Sequence, residues 1–172
     1  MRAALTALLV LGLWRGGTAM AFELSSTAFA PGQALPKQHS CDGADRSPPL
    51  RWKDAPAAAK SWALIADDPD APGGTWTHWV LYDLPASVGE LPEAVPPDAA
   101  LPSGGKQGLN DFRKTGYGGP CPPPGKPHRY FFRLYALDAP TGLEPRAKKD
   151  EVQHAIEGHV LAHTELMGTY QR

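Results

Sequence analysis

Residues 116–130 read GYGGPCPPPGKPHRY, a glycine- and proline-built loop that runs directly into a His-Arg-Tyr strand start. Glycine allows close backbone approach or positive φ, whereas consecutive prolines fix φ and remove amide donors. Such a loop holds a preset shape, and the residues that leave it, His128 to Tyr130, are polar or aromatic. Taken alone, most Gly/Pro loops are structural turns. We interpret this one as the wall of a binding site because of a second segment upstream.

That second segment, residues 67–79, reads DDPDAPGGTWTHW. Three aspartates, including Asp68 and Asp70, follow an apolar run, and a turn separates them from His78, which has a tryptophan close on each side. Carboxylates that emerge where a buried strand leaves the core, next to a histidine, are candidates for a polar site at a sheet edge.

The two segments together resemble the signature regions of the phosphatidylethanolamine-binding protein family. The resemblance runs from about Phe22 to the C-terminus and has features of the bacterial, Raf-kinase-inhibitor-like branch. The matching signature segments are residues 68–72, 78–79, 119–123 and 128–130, and the branch-type segments are residues 41–43, 47–50 and 110–112. The resemblance implies a β-sandwich fold with a small anion pocket.

The N-terminus has the pattern of a secretory signal peptide. Arg2 precedes a short apolar run, and small residues in an Ala19-x-Ala21 arrangement follow it. The run is too short and too poorly flanked for a stable membrane span, so we do not expect an integral membrane protein. The prediction is a signal peptide at residues 1–21, one domain at residues 22–172, and a periplasmic or secreted location.

Charge and motifs exclude several function classes. The chain has 17 lysines and arginines against 18 aspartates and glutamates, a net charge of −1 with neutral histidines, which gives no basic balance for nucleic acid. No Walker-type or dinucleotide fingerprint is present, so we expect no nucleotide cofactor. We expect no cofactor of any other kind.

Two cysteines, Cys41 and Cys121, lie in the part predicted to be exported. An even cysteine count in an oxidising compartment favours a disulfide. The alternative is that Cys121 is a reactive thiol beside His128.

The chain has 19 prolines, 18 glycines and many short apolar runs, which favour a mainly β domain with long loops. The pattern predicts a β-sandwich with a peripheral C-terminal α-helix. On the strand at residues 78–84, alternation places His78 on one face with Val80 and Tyr82. The predicted strands are residues 22–31, 50–52, 61–66, 78–84 and 129–137.

The helix is predicted over residues 150–166, with Val152, Ile156 and Val160 as its apolar stripe. Gly168 would end it, and residues 167–170 would add a closing strand. His159 and His163 fall at i and i+4 on this helix, a spacing that can bind metal, but no third ligand is near in the sequence.

We place Asp68, His78, His128 and Tyr130 around one cavity, where imidazole and phenol groups donate hydrogen bonds to an oxyanion. Asp68 would fix a histidine tautomer and favour the charged imidazolium. Free amides at Gly118 or Gly119 would add an anion-accepting concavity.

The resemblance implies that Asp68, His78, Pro122, His128 and Tyr130 form the family's pocket, which binds phosphate-like and acetate-like anions and the phosphoethanolamine head group. The implied partners are therefore such ligands, with a protein target as a further candidate. Supporting roles are predicted for Trp76 and Trp79 as an apolar wall, for Asp70 as an acceptor of backbone amides in the turn, and for Arg129 as a structural ion-pair partner.

Two hypotheses remain open. The first is an exported binding module that inhibits or modulates a protein partner. The second is a small hydrolase for phosphoester or acyl substrates, with His128 and Asp68 as acid and base and with Cys121 or a metal completing the site. No nucleophile elbow occurs, so no catalytic residue is assigned. No metal site is predicted, because the sequence has no close His-x-His or His-Glu-x-x-His spacing.

Overall fold

A computed structural model describes residues 21–172 of the chain. The predicted signal peptide lies outside the described residues except for Ala21. Each predicted region contains a strand, although within residues 22–31 only Glu23–Ser25 is one, and further strands join them. The elements are β1 (Glu23–Ser25), β2 (Leu50–Lys53), β3 (Ser61–Asp68), β4 (Trp76–Pro85), β5 (Glu90–Leu91), β6 (Lys106–Gln107), β7 (His128–Leu137), α1 (Lys149–Ile156) and β8 (Val160–Tyr170), with a 3-10 turn at Lys37–His39.

The strands form two antiparallel sheets. The smaller has the order β1-β2-β5 and the larger has the order β6-β4-β3-β7-β8. The main core cluster contains side chains of both sheets, such as Trp52 from the smaller and Leu64 and Phe132 from the larger. The predicted fold class, a mainly β sandwich with a helix near its C-terminus, is confirmed.

The centre of the larger sheet is β3, whose eight residues are all buried. One face of this sheet meets the smaller sheet, and the other meets α1 through a second cluster that includes Val80, Tyr82 and Val152. Burying each large apolar side chain contributes about 1.5–3 kcal/mol, so a strand covered on both faces anchors the domain.

The predicted helix at residues 150–166 is wrong in its second half. Val152 and Ile156 are buried as predicted, but α1 ends at Ile156 and Gly158 follows with φ 79°. The left-handed residue turns the chain back, and β8 then pairs with the whole of β7. Val160 is consequently 40% exposed on an edge strand.

The two histidines predicted on that helix are separated by its early end. The imidazole of His159 bonds Asp138, with 2.8 Å between Nδ1 and Oδ1. His163 lies on β8 and stacks on the ring of Tyr135.

A β-bulge lies at His78. Ala66 pairs with Trp79 and Asp67 pairs with Thr77, which leaves His78 without a partner on β3. A bulge inserts one extra residue and re-aims the side chains around it. The predicted grouping of His78 with Val80 and Tyr82 is therefore wrong, because simple alternation does not cross a bulge.

Cys41 and Cys121 form the predicted disulfide, with 5.4 Å between their Cα atoms and a sequence separation of 80 residues. The bridge ties the segment after the 3-10 turn to the start of the proline-rich loop. Both cysteines are therefore oxidised, which removes the free thiol proposed at Cys121. Among the helices of residues 21–172, none has the length and apolar character needed to cross a bilayer.

Candidate functional site

Three strand ends meet at one edge of the larger sheet. Asp68 is the last residue of β3, His78 lies near the start of β4, and His128 is the first residue of β7. Because β3 runs antiparallel to both neighbours, its end lies beside their starts.

These ends surround a cavity of about 200 Å³, here called the front cavity. Four of the six residues predicted to bind the ligand line the front cavity: Asp68, His78, Pro122 and His128. The other residues that line it are Ala71, Pro72, Trp76, Phe112, Cys121 and Pro123.

The pair of His128 and Asp68 is buried at the base of this cavity. Nδ1 of His128 lies 2.8 Å from Oδ2 of Asp68, and Oδ1 of the same carboxylate accepts the amide of Asp70 at 2.8 Å. A carboxylate can only accept, so the proton sits on Nδ1. Asp68 thus fixes the orientation of the ring and leaves Nε2 for the cavity.

His78 is held in a comparable way by the backbone. Its Nδ1 donates to the carbonyl of Gly118 at 2.6 Å, while the amide of Gly118 donates to the carbonyl of His78 at 2.9 Å. Burial lowers the pKa of His78 below its ordinary value. The neutral ring therefore presents an accepting Nε2 at neutral pH, whereas the sequence predicted a donor.

Tyr130 lies behind His78 rather than on the cavity wall. The two rings pack edge to face with 5.2 Å between centroids. The phenol hydroxyl is buried, and no atom of residues 21–172 meets the geometry of a hydrogen bond with it, although the Asp68 carboxylate lies near. Burial raises the pKa of Tyr130, with the nearby Asp68 carboxylate adding to the shift, so the hydroxyl stays protonated.

The predicted amide concavity at Gly118 and Gly119 is wrong. The Gly118 amide is used by His78, and the Gly119 amide donates to Oδ1 of Asp45 at 2.7 Å. Gly119 instead serves close packing, since a Cβ there would lie 2.4 Å from the carbonyl oxygen of His39. It does not line the front cavity.

Asp70 and Arg129 hold the turn beside the cavity. Asp70 accepts the backbone amide of Arg129 at 2.9 Å, and its two oxygens take the guanidinium at 2.9 and 2.7 Å. These bonds hold the pKa of Asp70 well below its usual range. Both residues therefore have the structural contacts that the sequence predicted for them.

A family model described as phosphatidylethanolamine-binding protein matches residues 25–171. The chain belongs to this family. A UPF0098 protein of Methanothermobacter thermautotrophicus is 52% identical over 150 residues, covering 87% of this chain and 99% of that protein. A UPF0098 protein of Aquifex aeolicus is 48% identical, with 91% of each covered.

Two solved structures have the same fold. One is a putative phosphatidylethanolamine-binding protein homolog from Chlamydia trachomatis, with a TM-score of 0.80, 42% identity, and coverage of 88% of this chain and 98% of that one. The other is Escherichia coli YbcL, described as a new member of the mammalian PEBP family, with a TM-score of 0.82, 35% identity and the same coverage.

In this member of the phosphatidylethanolamine-binding protein family, the rim of the front cavity is aromatic. Trp76 is 38% exposed and packs edge to face on Phe112, whose ring also meets His78. Trp79, predicted as a second wall residue, is fully buried in the main core and donates from Nε1 to Oε1 of Gln107 at 2.7 Å. Trp79 does not line the front cavity.

Sequence reasoning assigned no role to Phe112, although it lies in residues 110–112, quoted for the family resemblance. Asn110 closes this loop by donating to the carbonyl of Gly116 at 3.0 Å and accepting the amide of Lys114 at 3.1 Å. The closed loop carries Phe112 to the cavity rim. Its signal was an Asn-Asp pair, typical of a tight turn, followed by an aromatic residue.

Metal-ligating side chains do not converge in the described part of the chain. Within residues 21–172 no group of three or more His, Cys, Asp or Glu residues gathers in a way that would hold a metal ion.

Proposed function

We propose that the front cavity binds a small oxyanion of the phosphate or carboxylate type, including the phosphoethanolamine head group. The observation that carries the proposal is the pair of imidazoles. Each is locked through Nδ1, by Asp68 or by the Gly118 carbonyl, so that both Nε2 atoms are left for a ligand.

The two Nε2 atoms have complementary chemistry. Neither has a hydrogen-bond partner within residues 21–172, and neither is sealed from solvent. Nε2 of neutral His78 accepts, which suits the P–OH group of a hydrogen phosphate or a protonated carboxyl group. His128, when doubly protonated, donates from Nε2 to an anionic oxygen while Asp68 balances its charge.

Tyr130 supports the site from behind, since its ring packs edge to face against His78. The Trp76 face at the rim provides a surface for a cationic head group such as an ammonium. Because Trp76 and Phe112 are exposed side by side, a protein partner that carries the oxyanion would contact them as well, in line with an inhibitory or modulating role.

We further propose that the protein is exported, to the periplasm or the medium. The predicted signal peptide at residues 1–21 supports this, and the Cys41–Cys121 bridge agrees with an oxidising compartment.

The experiment is an NMR titration of the protein with inorganic phosphate and, separately, with O-phosphoethanolamine. Saturable shifts at Asp68, His78 and His128 are expected, and His128→Ala should abolish them. His154→Ala is the matched control, because that imidazole is 87% exposed on α1. If the wild type shows no saturable shift at millimolar ligand, the anion pocket is refuted.

The Asp68–His128 pair also supports a second candidate, a hydrolase that activates water. Nδ1 of His128 is oriented by a carboxylate, as in a general base. The version that uses Cys121 as nucleophile requires the disulfide to be opened. Turnover of phosphoester or ester substrates that disappears in His128→Ala would support it, whereas turnover that survives in that variant would come from a contaminant.

A further inference from the structure

A second cavity, larger than the first, lies on the face of the large sheet that carries α1. We call it the rear cavity, and its volume is about 540 Å³. The rear and front cavities lie on opposite sides of the same two segments, because residues that are adjacent in sequence point to opposite sides. Thr77 and Asp111 line the rear cavity, whereas His78 and Phe112 line the front.

Thr77 offers an unused hydroxyl to the rear cavity. The residue is 4% exposed, and its backbone is satisfied by Asp111, which accepts the Thr77 amide at 2.6 Å and donates to its carbonyl at 3.0 Å. Its Oγ1 has no hydrogen-bond partner within residues 21–172 and is not sealed from solvent. A buried side chain with a free hydroxyl that opens on a cavity is a ready partner for a ligand.

Charges of both signs line the same cavity: three cations, Arg113, Lys148 and Lys149, outnumber the two acids, Asp111 and Asp150. Arg113 and Lys148 both line the rear cavity, and neither takes part in an ion pair within residues 21–172. Helix α1 begins there at Lys149, whose Nζ is held by Oδ2 of Asp67 at 2.8 Å. The first amides of a helix and its dipole favour negative charge, and Asp150 and Glu151 of the first turn already supply part of it, with Glu151 accepting the Lys148 amide at 2.7 Å.

The remaining lining defines the ligand class. None of the described lining residues is aromatic, so stacking does not contribute, and polar side chains such as Asp111 and Gln153 predominate. Recognition must therefore come from hydrogen bonds and charge, with the cations on one part of the ligand and the carboxylates of Asp111 and Asp150 available to a hydroxyl or ammonium on another.

We propose that the rear cavity is a second binding site for a small, polar, oxyanion-bearing molecule. The Thr77 hydroxyl, Arg113 and Lys148 hold the oxyanion there. The proposal is independent of the front cavity, because it uses none of the residues that line it.

The test is a titration of His128→Ala with inorganic phosphate and, in a second arm, with acetate, at ionic strength matched by chloride. The front cavity is disabled in this variant. Saturable amide shifts are expected at Thr77, Asp111 and Lys149. Thr77→Val and Arg113→Ala, each added to His128→Ala, should each raise Kd about tenfold, the loss of about 1.4 kcal/mol.

Thr77→Ser, which keeps the hydroxyl, is the matched control and should retain binding. Thr77→Val should leave the stability of the free protein unchanged or raised, because it removes a hydroxyl that has no partner. Thus loss of binding without loss of stability separates a ligand role from a packing role.

Two results would overturn the proposal. One is the absence of saturable shifts in His128→Ala, and the other is a Kd that Thr77→Val and Arg113→Ala leave unchanged. Failure of the front-cavity proposal gives a different result: the wild type would then lack the shifts that depend on His128, while the shifts at the rear cavity would remain.

Discussion

Removing the Cys41–Cys121 bridge gives the largest predicted change in stability. The bridge closes a loop with a sequence separation of 80 residues. In the chain-entropy model, a loop of that length restricts the unfolded chain enough to stabilise the fold by about 4.5 kcal/mol at 25 °C. For a domain of this size, each kcal/mol corresponds to roughly 2–4 °C, so the double variant Cys41→Ala/Cys121→Ala should melt roughly 9–18 °C lower.

The assay is urea unfolding of the wild type, the reduced wild type and the double variant. The reduced wild type should match the double variant, since both lack the crosslink. Both should also show a larger m-value than the oxidised wild type, because an unfolded chain without the crosslink exposes more surface. Cys121 lines the front cavity, so phosphate affinity should fall as well.

Equal stability would refute this reasoning. If the double variant and the oxidised wild type differ by less than about 1 kcal/mol, the loop is held by its other contacts and the crosslink is redundant. An unchanged m-value together with a lowered midpoint would instead assign the loss to the folded state.

Two further predictions concern Tyr130, which lies behind the front cavity, and His78, which lines it. Tyr130→Phe removes a buried hydroxyl that does not line the front cavity, so stability should stay level or rise and phosphate binding, measured by calorimetric titration, should stay unchanged. A clear drop in melting temperature would show that the hydroxyl is bonded in the free protein. Because the pKa of His78 is lowered in the folded protein, the unfolded chain binds more protons at this residue. The contribution of neutral His78 to stability is therefore complete above pH 6.5, and it is lost as the pH falls from there towards the lowered pKa. Urea unfolding below pH 6.5 should therefore be less pH-dependent in His78→Gln than in the wild type, and identical slopes would contradict the shift.

The sequence predicted strands where short-range patterns were strong. In β3 and β7, continuous or alternating apolar residues bounded by Gly/Pro loops defined both strands to within about two residues. The end of α1 was missed because the apolar spacing of Val152, Ile156 and Val160 suits a helix, while Gly158 decides the outcome through its backbone conformation. Pairing with β7 then stabilises the following residues as a strand.

The candidate site was predictable in its residues but not in its hydrogen bonds. Asp68, His78 and His128 were expected together because polar residues at strand ends next to Gly/Pro loops tend to converge. The bulge at His78 depends on pairing with β3, and the use of the Gly119 amide depends on Asp45, which lies 74 residues earlier in the chain. Such long-range partners leave no local sequence pattern.

The proline-rich lip of the front cavity has a kinetic consequence. Residues 122–124 are three successive prolines, and the disulfide at Cys121 and the start of β7 at His128 hold the lip from both sides. Because this wall does not have to fold or close, the rate of ligand entry is limited by encounter and orientation. The association rate constant is then about 10⁵–10⁷ M⁻¹s⁻¹. With a millimolar Kd, ligands would then leave at about 10²–10⁴ s⁻¹. The occupancy of the front cavity would therefore follow the surrounding ligand concentration within milliseconds. Such a site suits sensing of the ligand concentration better than long-term storage of the ligand.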